Sequence, residues 1–261
     1  MRRGYIDVPE GQIHYQYEGS GPALLCVHQG PLSSSEYSRV MPILAKTHQV
    51  IAIDMLGYGK SDPPPHVYEV EDYARSLIDV LKALGIEKAS IIGSKLGATF
   101  AVEAAITYPN MVEKLVLHGM PGFDPVIREK LLNSWRYSTQ FTELFEDGSH
   151  LIRIWEREKK WGLSADPSLW QMAVADALAA GPECYIPYQS IFRYQEQEHL
   201  PLIPCPTLLI SGPKDIFRSS VETFQELIPN CEVELIEDLE GLVMLMMPEK
   251  FAGIVQNFLA K

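Results

Sequence analysis

The chain has 261 residues, of which 46% are hydrophobic and 21% charged, and its net charge is −12. That length suits one large α/β domain, and the acidic balance argues against a nucleic-acid partner, because neutralising phosphates requires a basic surface. No apolar run is long enough to span a bilayer, and none follows the charged start Met1-Arg2-Arg3-Gly4, so neither a membrane partner nor a secretory leader is expected. Cys26, Cys184, Cys205 and Cys231 are scattered without C-x-x-C spacing. They read as small core residues of a reduced, cytoplasmic protein, not as a disulfide or metal framework.

Residues 12–17 alternate with period two and predict a strand. Residues 23–28 form a short apolar run, the mark of a buried parallel strand. A turn-rich stretch follows, and a helix over residues 38–46 is expected, with Ser35 as its cap. Residues 49–54 predict another strand and 57–65 a loop. Residues 71–85 carry Tyr73, Leu77, Val80, Leu81 and Leu84 at helical spacing. A strand over 89–93 runs into a helix over 98–108, and further strands are expected over 114–119, 206–212 and 232–236. Alternating strands and helices predict a mainly parallel twisted sheet flanked by helices. The interval 123–204 breaks the rhythm and holds all four tryptophans, Trp135, Trp155, Trp161 and Trp170. It reads as an inserted helical lid, with residues 1–122 and 205–261 forming the core.

Four segments in this order resemble the α/β-hydrolase family. Val27-His28-Gln29-Gly30-Pro31 resembles its H-G-x-P oxyanion loop, and residues 54–62 its D-x-x-G-x-G-x-S loop. Gly93-Ser94-Lys95-Leu96-Gly97 stands where the G-x-S-x-G elbow belongs. Gly212-Pro213-Lys214-Asp215 resembles the turn that carries the family's acid. A looser resemblance is to a subgroup whose elbow reads G-x-H-T-G, supported by residues 147–151.

Two departures change the expected chemistry. The elbow residue is Lys95 instead of serine, and the histidine slot after the last strand falls on Leu242, or on Gly241 if the spacing slips by one. Of the three positions that the resemblance marks as catalytic, only Asp215 keeps its type. A serine hydrolase needs a hydroxyl, a base and an orienting acid, and two are missing. The neighbouring Ser94 should be aimed away from the pocket by the turn. A lysine at a helix N-terminus, walled by Leu242, Val243 and Met244, is disfavoured as a cation and would be a free amine, able to attack a carbonyl or act as a base. Pairing with Asp215 across the empty slot would instead keep it charged, to hold an anion or donate a proton.

The resemblance gives Gly30 and Leu96 as backbone oxyanion donors. His28 is expected to shape their loop, and Gln29, in place of a glycine, to narrow it or add a donor. His118 is the best replacement base, since its strand ends near the site. In the lid, His150, Arg153 and Trp155 are candidates for reading a polar or anionic substrate, with a solvated helix face as the plainer alternative. Tyr185, Tyr188 and Tyr194 are candidate cavity walls, and Asp54 and Ser61 stabilise their loop.

The expected function is cofactor-free lyase, decarboxylase, elimination or isomerase chemistry on a small carbonyl or ester-like molecule. A binding protein without turnover and an atypical hydrolase are the alternatives. No metal site is expected.

Overall fold

The protein is described from a computed structural model, which covers residues 1–133, 144–161, 166–239 and 241–261. Trp135 and Glu240 lie outside these residues, as does the side chain of Trp161. Eight strands form one sheet: β1 (Arg2–Val8), β2 (Gly11–Glu18), β3 (Ala23–Val27), β4 (Gln49–Ile53), β5 (Ala89–Ser94), β6 (Val112–His118), β7 (Thr207–Ser211) and β8 (Cys231–Leu235). Their spatial order is β1-β2-β4-β3-β5-β6-β7-β8. The pairings among β3 to β8 are parallel, while β2 runs antiparallel to both β1 and β4. β1 was not expected, because Arg2, Arg3 and Asp7 interrupt any apolar signal. It is an edge strand with exposed residues alternating along it, held by its hairpin to β2.

The buried strands alternate as period two requires. Leu25 and Val27 of β3 and Ile91 of β5 face one apolar cluster, which also takes Tyr73, Leu77, Val80 and Leu81 from α2 (Val70–Ala83). Leu24, Cys26 and Ile92 face the other cluster, which takes Phe251, Val255 and Phe258 from α11 (Pro248–Leu259). All three are buried, as are their strand neighbours, so each sheet face is covered. Cys26, Cys184 and Cys205 are buried free thiols, and Cys231 is partly exposed.

The helix expected over 38–46 is two shorter pieces. A 3₁₀ turn over Ser34–Tyr37 is capped by Ser33, whose side chain accepts from Ser35 N, and α1 spans only Met41–Leu44. Pro42 enters in the first turn of α1, where its missing N–H costs nothing but a continuous helix through it would lose a bond.

From β3 the chain goes to β4 on one side, then returns across to β5 on the other. The carboxyl ends of β3 and β5 thus flank the point where strand order reverses, the place where an open α/β sheet leaves a crevice. Val27 pairs with Gly93 and Ser94 with His118, which brings the loop after β3, the elbow after β5 and the end of β6 to one level. Between β6 and β7 lie α4 (Pro125–Leu132), α5 (Ser149–Trp161), α6 (Pro167–Ala180), α7 (Ile186–Arg193) and α8 (Glu196–His199). Arg128 of α4 ties this group together. Its guanidinium donates to the carbonyls of Phe192 and Tyr194 at the end of α7, and pairs with Glu196. Asp176 of α6 accepts from Ser33 N, Ser33 Oγ and Ser35 Oγ, fixing α6 to the stretch that follows β3. α9 (Val221–Leu227) lies between β7 and β8, and α10 (Val243–Met246) follows β8.

Candidate active site

The elbow is a strand-to-helix turn with no room for side chains on either side of its centre. A Cβ on Gly93 would lie 2.5 Å from Ala98 Cα, and one on Gly97 would lie 2.4 Å from Val27 O. Lys95 stands between them at φ 48° and is the only described non-glycine residue at positive φ. Such a conformation is costly and persists only where the surroundings impose it. Here Lys95 N donates to His118 O at 2.9 Å and Lys95 O accepts from Ala98 N at 2.9 Å.

The strained turn aims the lysine side chain at Asp215. Lys95 Nζ lies 2.9 Å from both Asp215 Oδ1 and Oδ2. The carboxylate side chain is fully buried, whereas that of Lys95 is 19% exposed. Asp215 Oδ1 also accepts from Phe217 N at 2.9 Å, and the Phe217 ring lies 5.5 Å from Nζ. Burial pushes the Asp215 carboxyl up, but the attraction of Lys95, aided by His118 and the Phe217 N–H, outweighs it and holds the group below the ordinary carboxylate range. Gly119 leaves the room for this pair. A Cβ there would meet Nζ at 2.5 Å and Asp215 Oδ2 at 2.8 Å.

Lys95, Asp215, Gln29, Gly30, Leu96 and Leu242 all line one cavity of about 1170 Å³. Leu96 opens α3 (Leu96–Thr107), so its N–H has no acceptor within the helix. The Gln29–Gly30 peptide is held through its carbonyl, which accepts from Leu32 N at 2.9 Å and bonds His28 Nδ1 at 2.8 Å. His28 Nε2 accepts from Met55 N, so the proton sits on Nδ1 and donates to Gln29 O. Burial pushes this imidazole down to about 4, so it stays neutral at ordinary pH. Tyr188 OH donates to Gly30 O, fixing the next peptide from α7.

The remaining expected residues divide between the cavity wall and other surroundings. His118 is fully buried and absent from the cavity wall. Its Nδ1 lies 3.1 Å from Ser94 Oγ, and its ring meets Phe251 edge-on at 6.3 Å. Burial, then Lys95, push it down to about 3 against the pull of Asp215. It was expected near the site from its strand end, and it is near, but it points under the elbow into the apolar layer. Val243 and Met244 are core residues of the lower sheet face, leaving Leu242 alone of the three on the cavity wall. His150 Nδ1 accepts from Phe145 N at 3.2 Å near the start of α5, and Trp155 packs edge-on to Trp170 at 5.7 Å. Arg153, Tyr185 and Tyr188 line the cavity, but Tyr194 does not. Its OH donates to Glu103 instead. Asp54 accepts from Ser34 N and Lys60 N and bonds His14 Nδ1, while Ser61 Oγ donates to Asp54 O, an internal brace for that loop.

Glu36 had no part in the sequence reading. It is fully buried beneath the site, where it accepts from Gln29 N at 2.8 Å, from Gln29 Nε2 at 2.9 Å and from Ser94 Oγ at 2.9 Å. One N–H of the Gln29 side-chain amide is therefore turned to Glu36. Its spacing from Ser33 fits an S-x-x-E capping box, and that signal would have placed its carboxylate on the helix end instead.

A family model described as the alpha/beta hydrolase fold matches residues 22–240. The chain belongs to this family. Among relatives in it, the 2-hydroxy-6-oxo-6-(2'-aminophenyl)hexa-2,4-dienoic acid hydrolase of Metapseudomonas resinovorans is 29% identical over 270 residues, covering 98% of this chain and 90% of that one. The 2-hydroxymuconate semialdehyde hydrolase of Pseudomonas putida is 28% identical over 269 residues, covering 95% and 90%. The solved enol-lactonase of Burkholderia xenovorans LB400 superposes with a TM-score of 0.85 at 18% identity, over 99% of this chain and all of that one, a likeness of fold. The family's frame is thus kept whole around an elbow that carries lysine.

Proposed function

We propose that this member of the family is a non-hydrolytic enzyme that stabilises the enolate of a small oxo acid, with decarboxylation as the reaction. The observation that carries the reading is the Lys95–Asp215 pair: the elbow side chain reaches the acid directly, with no imidazole between them. A lysine ammonium has three N–H bonds. Two are engaged by Asp215, and one remains for a ligand in the cavity. With the N–H groups of Leu96 and Gly30 this gives three donors for an oxygen that gains negative charge. Asp215 is occupied by Lys95 and His118 is buried outside the cavity, so neither is placed to act as the base.

Loss of CO2 from a 3-oxo acid needs no base. The bond to the carboxylate carbon breaks, and its electron pair moves into the carbonyl to form an enolate. The three donors hold the enolate oxygen. Lys95 then gives a proton to the α-carbon and regains one from water. The engaged N–H groups of Lys95 argue against attack by a free amine, and the full burial of Ser94 argues against it as a nucleophile. The oxo acid named for the Metapseudomonas relative supports the substrate class.

The same pair satisfies both its charges internally. That supports a second reading, a protein that binds oxo acids without turning them over. CO2 release measured over a panel of 3-oxo acids separates the two. Turnover that falls by roughly 10²-fold or more in Lys95→Met, on the scale of a lost oxyanion donor, is expected. Binding without CO2 release would establish the second reading, and ester hydrolysis that survives Lys95→Met would overturn both.

A further inference from the structure

Beneath the elbow runs a chain of three buried polar groups that the proposed reaction leaves unused. Glu36 Oε1 is 2.9 Å from Ser94 Oγ, and Ser94 Oγ is 3.1 Å from His118 Nδ1. All three residues have 2% exposure or less. His118 Nε2 is buried without a hydrogen-bond partner. At the other end, both oxygens of Glu36 hold Gln29, whose carbonyl shares a peptide plane with the N–H of Gly30.

We propose that Glu36 is a positioning residue for the oxyanion loop, and that the Glu36–Ser94–His118 chain sets the Gly30 donor according to whether it carries an extra proton. The proposal rests on the reading of Gly30 as an oxyanion donor.

The hydrogen-bond inventory fixes two states of the chain. With Glu36 ionised, its oxygens accept three bonds, from Gln29 N, Gln29 Nε2 and Ser94 O–H, and Ser94 Oγ accepts from His118 Nδ1–H. With Glu36 protonated, its O–H must donate. Both Gln29 groups are donors, so the neighbour that can accept is Ser94 Oγ. Ser94 then donates to His118 Nδ1, and the imidazole proton sits on Nε2. The change takes up one proton in all. It adds to Nε2, the Nδ1 proton passes to Ser94, and the Ser94 proton passes to Glu36. The neutral acid then holds Gln29 more weakly than the carboxylate does, because hydrogen bonds to an ionised acceptor are about twice as strong.

The surroundings place this change within reach of ordinary pH. Burial pushes the Glu36 carboxyl up to about 7, against the bonds from Gln29 and Ser94 and the attraction of Lys95. The titratable groups around it are Cys26 on β3, Tyr37 beside it in the 3₁₀ turn, Lys95 at the elbow and His118 at the end of β6. Burial raises the Cys26 thiol and the Tyr37 hydroxyl far above neutral, so neither competes for the proton.

The test is a pH titration of the ¹⁵N-labelled wild-type protein by NMR, with no substrate present. The Gln29 and Gly30 amides and the His118 ring nitrogens should shift together, with one midpoint near the carboxyl value of about 7. Glu36→Gln should flatten all of them. Ser94→Ala should keep the amide titration and abolish the tautomer change at His118. Amides of Gln29 and Gly30 that stay flat in the wild type would overturn the proposal whatever the variants do. A titrating loop in a protein that acts on no oxo acid would instead overturn the proposed reaction and leave this inference standing.

Discussion

Lys95 Nζ sits 2.9 Å from each carboxylate oxygen of Asp215, across the gap that an imidazole spans in a Ser-His-Asp arrangement. Lysine is long enough to reach the acid with no third residue between them. The pair also binds the end of β5 to the turn after β7, so its energetics should appear in stability as well as in chemistry.

Removing one member strands the other. In Lys95→Met the Asp215 carboxylate stays fully buried, with the Phe217 N–H still donating to it. The expected loss is about 3 kcal/mol, the scale for an orphaned buried charge. The double variant Lys95→Met/Asp215→Leu should recover much of it, because no charge is then left without a partner. Urea denaturation of the three proteins measures the cycle, and additive losses would mean the pair is not coupled.

Gly119 makes an independent test of the same geometry. It lies at φ 55°, and a Cβ would intrude on both Nζ and Oδ2. Gly119→Ala should break the pair without removing a charge, costing on the order of 1–3 kcal/mol from backbone strain alone and abolishing the function that Lys95 serves. An alanine variant with normal stability and normal ligand binding would show that the pair tolerates displacement.

A Ser-His-Asp arrangement should be buildable on this frame. Asp215 is retained, Leu242 is on the cavity wall, and the elbow keeps its strained centre. Lys95→Ser combined with Leu242→His should therefore gain hydrolysis of an activated ester by roughly 10²–10⁴-fold over either single variant, the contribution of a placed general base. A double variant no better than the singles would place the histidine slot elsewhere, with Gly241 as the next position to try.

The buried titratable groups set a pH optimum of stability. The Glu36 carboxyl is raised from its ordinary 4.5 to about 7, so across that window the native state binds more protons than the unfolded chain and stability falls as pH rises. His118 and His28 are lowered from 6.5 to about 3 and about 4, so stability rises with pH up to 6.5. Below 6.5 the histidines, His48 among them, oppose Glu36; above it Glu36 dominates until the raised thiols titrate. Thermal melts should peak near pH 6.5. In Glu36→Gln the decline between pH 6.5 and 8 should vanish, a pH-linked change of about 1 kcal/mol at most.

Most of the sheet was legible in the sequence because its strands are buried on both faces and read as short apolar runs between turn residues. β1 escaped because an edge strand tolerates charge. Three of the four loop motifs carry Gly30, Lys95, Leu96 and Asp215, and these residues share one cavity wall because each of the three motifs is tied to a strand end. His118 and Glu36 show the limit. A strand-end position tells how near a side chain comes but not which side of the backbone it leaves from. His118 turned under the elbow for that reason, and Glu36 met it there from a segment 58 residues away from Ser94. Contacts of that kind depend on three-dimensional closure, and no local pattern announces them.

The elbow's shape is dictated by what its neighbours lack. Gly93 and Gly97 admit the turn because they have no Cβ, and the residue between them contributes backbone alone to its formation. The central position is therefore a socket: the scaffold fixes where the side chain emerges and in which direction, and leaves its chemistry open. A lysine delivered there already reaches an acid. An unnatural amine, thiol or ketone side chain installed at the same position would inherit that direction without redesign of the fold.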